Sequence, residues 1–358
     1  MKKILIIGLG LIGGSFARAL RQYKVSDTIF AFDENFSAIE EAKSAGIIED
    51  FADLDENLYD FDLIVIATPL AAYKKILTQI SKTSPSNAVV IDLGSLKEFV
   101  VAELPKNLQQ NFVACHPIAG SDKTGFENSF AELFLEKKFV ICPHKNCNEI
   151  AVKEVAAIIE KIGAKVDFIE PKQHDKIYAL VSHLPQFLSF LTKEFSPFSD
   201  ENNFANSLLQ NAFRLDNSSA EIWEDIFKLN EKNLEKFYLE FFDNLEEFVT
   251  QIKQEKFAEI VTELKNIVLK LGAPKLTSQD FEASIMNDKN SAAKILFRLI
   301  IVASYLKIAE IKNLQNYAGS GFRDFTSIIY LVELAPKLAE LLKQNQKEIL
   351  LLIKNISE

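Results

Sequence analysis

Lys3-Ile4-Leu5-Ile6-Ile7-Gly8-Leu9-Gly10-Leu11-Ile12-Gly13-Gly14-Ser15 is the stretch that decides the fold of this chain. It opens with the apolar run of a buried β-strand, and apolar residues at helical spacing continue beyond it, at Phe16, Ala17, Ala19 and Leu20. A strand, a glycine turn and a helix in this order predict a Rossmann-type dinucleotide-binding unit. Gly8 would allow the tight bend, Gly10 would let the backbone approach a pyrophosphate, and Gly13 would let helix and strand pack closely.

The second apolar run, residues 28–32, ends at Asp33. A carboxylate at this place accepts hydrogen bonds from both ribose hydroxyls and repels the 2′-phosphate of NADP, and Glu34 adds to that repulsion. The sequence therefore predicts NAD as the cofactor. The residues expected to bind it are Asp33, Thr68, Gly8, Leu9, Gly10, Leu11, Ile12 and Gly13. The alternative interpretation is that Asp33 is an ordinary turn former at a strand end.

Further apolar runs predict the remaining strands of the α/β part, at residues 63–67, 88–91, 112–114, 139–142 and 166–169. Thr68, Ser95 and His116 each follow the C-terminal end of one of these runs. Such ends share one edge of an open parallel sheet, where ligands bind, so we expect a single active-site crevice there. Pro117 should stop any extension of the strand pairing, which puts His116 at the exit of its strand. The alternative for His116 is a structural donor that caps a loop.

Beyond Pro171 the strand runs disappear and long amphipathic patterns begin. The predicted fold is thus α/β, with a Rossmann-type domain at residues 1–170, an all-α domain at 171–255 and an additional helical segment at 256–358. One apolar stripe recurs every three or four residues and predicts a core or a subunit interface; it comprises Leu234, Phe237, Phe241, Leu245, Phe248 and Ile252.

The first helical pattern contains a proline, Pro185, shortly after Ser182 and His183. Proline removes a backbone hydrogen bond and kinks a helix unless neighbours satisfy the carbonyl that it leaves. Ser182 or His183 either supplies that hydrogen bond or takes a role on the substrate side. The residues alone leave both interpretations open.

Composition excludes several classes of function. The 358 residues carry 40 basic and 50 acidic side chains and a formal net charge of −10, whereas a nucleic-acid partner needs clustered Lys and Arg. No apolar run reaches about 18 residues and no signal-peptide pattern precedes the first strand, so we expect no membrane partner. Three cysteines fit a reducing compartment and predict a cytoplasmic protein. Cys142, His144 and Cys147 lack a fourth ligand at finger-like spacing, and no metal is expected.

Five motifs occur in the order in which one enzyme family has them, over residues 1 to about 250. They are Gly8-Leu9-Gly10-Leu11-Ile12-Gly13-Gly14-Ser15, Asp92-Leu93-Gly94-Ser95-Leu96-Lys97, His116-Pro117-Ile118-Ala119-Gly120, His174-Asp175 and Ser182-His183-Leu184-Pro185. On these motifs the chain closely resembles prephenate dehydrogenase. The second and third motifs together are far more specific than the first.

The resemblance implies an NAD-dependent oxidative decarboxylation of prephenate to 4-hydroxyphenylpyruvate in tyrosine biosynthesis. His116 matches the family histidine that takes up the proton of the ring hydroxyl, and Ser95 matches the serine that supports it. Arg214, nine residues before Trp223, matches the arginine that fixes a substrate carboxylate. Further substrate contacts are expected from Ser121, Ser182 and His183.

The chain departs from the family pattern just before Arg214. The family has glycines and an aspartate there, whereas this chain has Asn211 and no glycines. A version with glycines occurs near the C-terminus, as Gly319-Ser320-Gly321-Phe322-Arg323-Asp324-Phe325-Thr326, with Ser327 in place of the arginine. We infer that the helical domain is partly duplicated and that the second copy has lost catalytic residues. The helices of the two copies should then superpose.

The family dimerises through its helical domain, so we expect a homodimer whose interface the second copy extends or replaces. The nearest rival is an arogenate (cyclohexadienyl) dehydrogenase, which performs the same ring chemistry on a substrate with a side-chain amino group. A hydroxyacid dehydrogenase with a lysine base would share only the glycine motif. A non-catalytic nucleotide sensor is a remote alternative, because a sensor has no use for Ser95, His116 and Arg214 together.

Overall fold

The computed structural model describes residues 3–55, 58, 60–83, 88–120, 123–195, 214–271, 289–308, 311–330, 332 and 338–357. The chain forms two compact units. The first comprises Met1–Lys176 and Ala220–Asn230, and the second comprises Ile177–Ser219 and Glu231–Glu358. The chain therefore leaves the first unit, enters the second and returns once before it completes the second.

An eight-stranded sheet forms the centre of the first unit. Its strands are β1 (Lys3–Ile7), β2 (Thr28–Phe32), β3 (Asp50–Phe51), β4 (Leu63–Ile66), β5 (Val89–Asp92), β6 (Phe112–Pro117), β7 (Lys138–Cys142) and β8 (Lys165–Phe168). The spatial order is β3-β2-β1-β4-β5-β6-β7-β8, and all neighbours are parallel except β6 and β7. The strand order changes direction between β1 and β4, which is where open sheets of this type bind ligands.

The helices, in chain order, are α1 (Leu11–Gln22), α2 (Phe36–Ser44), α3 (Tyr73–Thr83), α4 (Lys97–Ala102), α5 (Glu149–Lys161), α6 (Pro171–Tyr178), α7 (Leu184–Phe195), α8 (Ala220–Leu229), α9 (Glu231–Lys253), α10 (Phe257–Leu271), α11 (Lys289–Leu306), α12 (Ile311–Leu314), α13 (Ser320–Thr326), α14 (Leu338–Gln344) and α15 (Gln346–Ser357). The predicted fold class, a Rossmann-type domain followed by helices, is confirmed. Across the described ranges, no helix is long and apolar enough to cross a membrane.

The inner strands are covered on both faces, which explains why their sequences are continuous apolar runs. Every residue of β4 is fully buried, as are Ile4–Ile7 of β1. Against them pack Phe16, Ala17, Ala19 and Leu20 of α1, all fully buried at the helical spacing that the sequence displays. This packing fixes the glycine turn between β1 and α1.

Strand β6 runs further than the sequence predicts. Its pairing with β5 ends where Asp92 faces Ala114, but its pairing with β7 continues through His116 opposite Val140 and Pro117 opposite Phe139. The Ile118 amide then donates to the Lys138 carbonyl. The prediction that Pro117 stops the pairing is therefore wrong. In an antiparallel ladder only alternate residues donate, so a proline between two donors costs no hydrogen bond.

The second unit is helical, and the apolar stripe of α9 forms part of its core. Phe237, Phe241, Leu245, Phe248 and Ile252 are all at most 1% exposed. Helix α11 is buried along nearly its whole described length, as its nearly uninterrupted apolar sequence requires. One charged residue, Arg298, is enclosed in it.

Between α6 and α7, residues Ala179–His183 form a turn of π-helix. In a π-helix each carbonyl accepts from the amide five residues later, and the residue five after Leu180 is Pro185, which has no N–H. The Tyr305 hydroxyl donates to the Leu180 carbonyl instead, at 2.8 Å. The proline is thus accommodated by a wider turn and by the Tyr305 hydroxyl of α11, a donor that the sequence pattern does not predict.

Candidate active site

The glycine turn has the geometry of a cradle for phosphates. Gly8 has a φ of +98°, and a Cβ there would lie 2.6 Å from the Ala67 carbonyl oxygen. A Cβ on Gly13 would overlap the Gly8 carbonyl, whereas one on Gly10 would meet nothing within 4 Å. Gly8 and Gly13 are therefore required by the fold itself. Gly10 is different: the absence of a side chain there leaves open space above the N-terminus of α1, which attracts anions.

Asp33 lies beside this turn and is fixed by it. Its carboxylate accepts hydrogen bonds from the Leu9 amide at 2.6 Å and from the Asn35 amide at 2.7 Å. Leu9 and Leu11 are buried and Ile12 is partly buried, so these residues contribute mainly backbone to the turn. The carboxylate is thus held rigidly at the end of β2, where a ribose would meet it.

Thr68 follows β4 and also lies against the turn, since its Cγ2 would be 3.0 Å from a Cβ on Gly8. Its Oγ1 is buried and has no hydrogen-bond partner within the described ranges. A buried polar atom without a partner is costly, and a bound polar ligand would supply one. The open space at Gly10, the fixed Asp33 carboxylate and the Thr68 hydroxyl together fit a dinucleotide.

A buried ion pair braces the loop that carries Ser95. Lys97 and Asp92 are both fully buried and in direct contact. Lys97 Nζ also donates to the Cys115 carbonyl at 2.6 Å, and Asp92 accepts from the Gly94 and Cys115 amides at 3.0 and 3.1 Å. These bonds fasten the end of β5 to β6 immediately before His116. The sequence motif contains both residues, but their pairing was not predicted.

His116 is partly exposed at the carboxyl end of β6, and its ring contacts a second histidine. His116 Nδ1 lies 2.9 Å from His174 Nε2, and His174 Nδ1 lies 2.8 Å from Asp175 Oδ1. Burial, together with the charge of Lys97, lowers the pKa of His174 well below its usual value. His174 was recognised only as part of a motif. Its contact with His116 joins residues 58 positions apart, which sequence spacing does not predict.

Ser95 follows β5 at the same edge of the sheet and is partly buried. The first unit thus brings together the glycine turn, Asp33, Thr68, Ser95 and His116 at the carboxyl ends of its parallel strands. The ring contact of His116 is with His174, so the support that the sequence expects from Ser95 stays a prediction.

The other predicted substrate residues belong to the second unit. Arg214 forms an ion pair with Asp324, donating from Nε at 2.8 Å and also from Nη2. Ser182 and His183 lie in the π-helical turn, where His183 is 1% exposed and Ser182 is partly exposed. Ser121 and Asn211 lie outside the described residues.

A second buried ion pair holds the segment next to Arg214. Arg298 of α11 donates from both Nη atoms to the Asp216 carboxylate, at 2.8 and 2.7 Å, and also contacts the Ser189 hydroxyl of α7. Both partners of this pair are 2% exposed at the side chain. Nothing in the sequence pattern distinguished Arg298 or Asp216 from surface charges.

Comparison with known proteins gives two family matches that together cover most of the chain. Residues 16–168 match the model described as "Prephenate dehydrogenase, nucleotide-binding domain", and residues 170–266 match "Prephenate dehydrogenase, dimerization domain". Helices α11 to α15 lie beyond the second match.

Three relatives illustrate the similarity. Cyclohexadienyl dehydrogenase of Zymomonas mobilis is 27% identical over 64% of this chain and 81% of its own length. Prephenate dehydrogenase of Bacillus subtilis is 27% identical over 70% of each chain. The crystal structure of prephenate dehydrogenase from Aquifex aeolicus with hydroxyphenyl propionate and NAD+ is 30% identical, with a TM-score of 0.69 over 75% of this chain and 97% of that one. This chain therefore belongs to the prephenate dehydrogenase family, as an oxidoreductase with NAD as its cofactor.

Proposed function

We propose that this protein catalyses the NAD-dependent oxidative decarboxylation of prephenate to 4-hydroxyphenylpyruvate. The observation that carries the proposal is the placement of His116, a partly exposed imidazole at the same sheet edge as a glycine turn fit for a dinucleotide. An imidazole that titrates near neutral pH is suited to receive a proton from an alcohol.

Prephenate carries a ring hydroxyl and a ring carboxylate on opposite carbons. Bound NAD would supply the acceptor for the hydride that leaves the carbon bearing the hydroxyl. His116 takes the hydroxyl proton as that hydride leaves. The bond to the carboxylate then breaks, its electron pair enters the ring as CO2 departs, and His116 returns the proton to the ring oxygen. The ring becomes aromatic and no net proton is released.

The remaining site residues bind and orient. Ser95 supports His116 and the same hydroxyl. The Arg214 guanidinium, whose position is fixed by Asp324, grips a substrate carboxylate, because a planar fork of donors suits that group. Ser182, His183 and Ser121 make further substrate contacts.

For the cofactor, the Gly10 backbone accommodates the pyrophosphate, Asp33 accepts the ribose hydroxyls and Thr68 supplies a further polar contact. Asp33 already accepts the Leu9 and Asn35 amides. A 2′-phosphate beside this carboxylate would meet like charge, so we expect NAD to be used in preference to NADP.

An arogenate or cyclohexadienyl dehydrogenase is the second candidate, and the cyclohexadienyl dehydrogenase of Zymomonas supports it. The ring chemistry would be unchanged, and only the contacts to the side-chain amino or keto group would differ. A family dimerization domain supports a homodimer. The three free cysteines and the biosynthetic role support a cytoplasmic location.

One assay separates these candidates. The full-length protein is mixed with NAD and either prephenate or arogenate at equal concentration, and NADH is followed by its absorbance while 4-hydroxyphenylpyruvate or tyrosine is identified as the product. We expect the higher kcat/KM with prephenate. A higher value with arogenate would move the assignment to the second candidate. No NADH from either substrate would favour a nucleotide sensor.

A further inference from the structure

Three side chains lead from the proposed reaction centre into the interior of the first unit. His116 at the outer end is partly exposed, His174 in the middle is fully buried, and Asp175 at the inner end is 3% exposed. His116 Nδ1 and His174 Nε2 lie at hydrogen-bond distance, and so do His174 Nδ1 and Asp175 Oδ1. The direction of each hydrogen bond decides which nitrogen of His116 carries a lone pair and can therefore act as a base toward the substrate.

The hydrogen bonds of Asp175, at the inner end of the row, decide the direction of the hydrogen bonds along it. Asp175 Oδ1 accepts the Lys97 amide at 2.8 Å, and Oδ2 accepts the Glu98 amide at 2.9 Å. Backbone amides only donate, and a carboxylate held by two of them acts as an acceptor toward a third partner. His174 Nδ1 therefore carries a proton and donates it to Asp175.

The middle of the row is neutral, because burial and the charge of Lys97 lower the pKa of His174 well below its usual value. A neutral imidazole with its proton on Nδ1 has a lone pair on Nε2. That nitrogen accepts, so the bond from His116 to His174 must be donated by His116 Nδ1. A neutral His116 then has its lone pair on Nε2.

We propose that His174 and Asp175 are positioning residues that set the tautomer of His116, so that Nε2 is the atom that receives the substrate proton. The inference rests on the proposed function, in which His116 is the proton acceptor. When the proton moves from the hydroxyl oxygen to Nε2, His116 becomes an imidazolium. Its Nδ1–H still donates to His174, and the Asp175 carboxylate beyond compensates its charge.

The surroundings are built to keep this row fixed. In the part of the chain that the structure describes, the charged side chains next to the row are Lys97 from α4 and Asp92 from β5, and Lys97 is tied to both Asp92 and the Cys115 carbonyl next to His116. Asn230, which follows α8, donates to the Asp175 carbonyl at 2.9 Å. Asp175 is therefore held by the start of α4 and by the residue after α8, and the backbone next to His116 is held by Lys97.

The direct test reads the tautomer without any substrate. Nitrogen NMR of the full-length protein with labelled histidine distinguishes a ring nitrogen that bears a proton from one that does not. The chain has four histidines, so His116 is assigned from the spectrum of His116→Asn. We expect a proton on Nδ1 and none on Nε2 above the titration of His116. A proton on Nε2 would overturn the inference and leave the proposed function standing.

A pair of variants tests the consequence for catalysis. In His174→Gln an amide oxygen near the position of Nε2 can still accept from His116, whereas His174→Leu removes the acceptor. We expect His174→Leu to lower kcat about 100-fold with KM for prephenate within about threefold, and His174→Gln to stay within about tenfold of the natural enzyme. His144→Leu is the matched control, because His144 is a histidine near the other end of β6, bonded to the Phe112 carbonyl.

The pH profile separates positioning from mere packing. Without His174 the imidazolium of His116 loses its acceptor and the compensating charge behind it, so the acid limb of kcat/KM should move to lower pH in His174→Leu and not in His144→Leu. Equal losses in His174→Leu and His174→Gln with an unmoved acid limb would contradict the inference. NAD affinity, followed through the fluorescence of the single tryptophan, checks that the variants are folded.

Discussion

His116 lies where β6 is paired on one side only. Its backbone continues the ladder with β7 opposite Val140, while the pairing with β5 has already ended at Ala114. The strand therefore fixes the Cα position of the histidine, and the ring remains partly exposed. A catalytic group on a strand is positioned more precisely than one on a loop, which suits transfer of a proton over a single hydrogen bond.

Arg214 and Arg323 offer a matched comparison at the residue scale. Arg214 is oriented by Asp324, whereas Arg323 donates at 3.4 Å to the carbonyl of Gly319, the residue that precedes its helix. If Arg214 grips a substrate carboxylate, Arg214→Ala should raise KM for prephenate about 10- to 100-fold, the scale of a charge-assisted hydrogen bond, with a smaller effect on kcat. Arg323→Ala should leave KM unchanged. Steady-state kinetics with the opposite result would assign the anchor to Arg323.

The candidate site residues differ in how far sequence could predict them. Gly8, Asp33 and Thr68 follow strand ends and His116 lies near the carboxyl end of β6, and the topology of a parallel sheet gathers such residues without further information. The partner of His116 could not be inferred in this way. Its ring is brought to His116 by the packing of α6, and no periodicity in the sequence records that contact.

At the scale of elements, two prolines were expected to interrupt structure, and the outcomes differ for a common reason. Pro117 lies at a position of the ladder that does not donate, so β6 continues through it. Pro185 removes a donor that the π-helical turn needs, and Tyr305 replaces it. Whether a proline ends an element depends on whether the hydrogen-bond pattern of that element needs an amide donor at its position. The local sequence does not show this.

The role of Tyr305 in the π-helical turn can be measured. The Tyr305 hydroxyl is fully buried and donates to the Leu180 carbonyl. Tyr305→Phe leaves that carbonyl without its donor and should lower the free energy of unfolding by about 1–3 kcal/mol. Urea denaturation of the full-length protein gives the value. Tyr238→Phe is the control, because it removes the hydroxyl of a tyrosine whose ring packs against Phe187 and Phe242. Equal losses in both variants would rule out the role given to Tyr305.

In the whole molecule, the described elements that follow Arg214 come in a similar order to those that follow Asp324, in the two helical segments that the sequence relates to each other. In the first, α7 precedes Arg214, a short 3-10 turn at Leu215–Asn217, α8, Asn230 and α9. In the second, α11 precedes α12, a 3-10 turn at Gln315–Tyr317, α13, a 3-10 turn at Ser327–Tyr330, α14, Asn345 and α15. The Arg214–Asp324 ion pair joins the two segments. The duplication stays a prediction, which superposition of the two sets of helices would test.

The oligomeric state of the protein depends on whether the second helical copy extends the family interface or takes the place of the partner. Each chain has a mass of 40.4 kDa. If the second copy extends the family interface, light scattering on the purified protein should give twice that mass at all concentrations used for assay. A mass of one chain would mean that the second copy takes the place of the partner, and the homodimer proposed above would be wrong.

The central claim is that His116 accepts the proton of the ring alcohol as hydride is transferred. Its most direct test is kcat for His116→Asn, measured by NADH formation from saturating prephenate and NAD. We expect a loss of about 100-fold or more, with NAD affinity unchanged, because an asparagine amide cannot take up the proton of the hydroxyl. A kcat within a few-fold of that of the natural enzyme would show that another group accepts the proton.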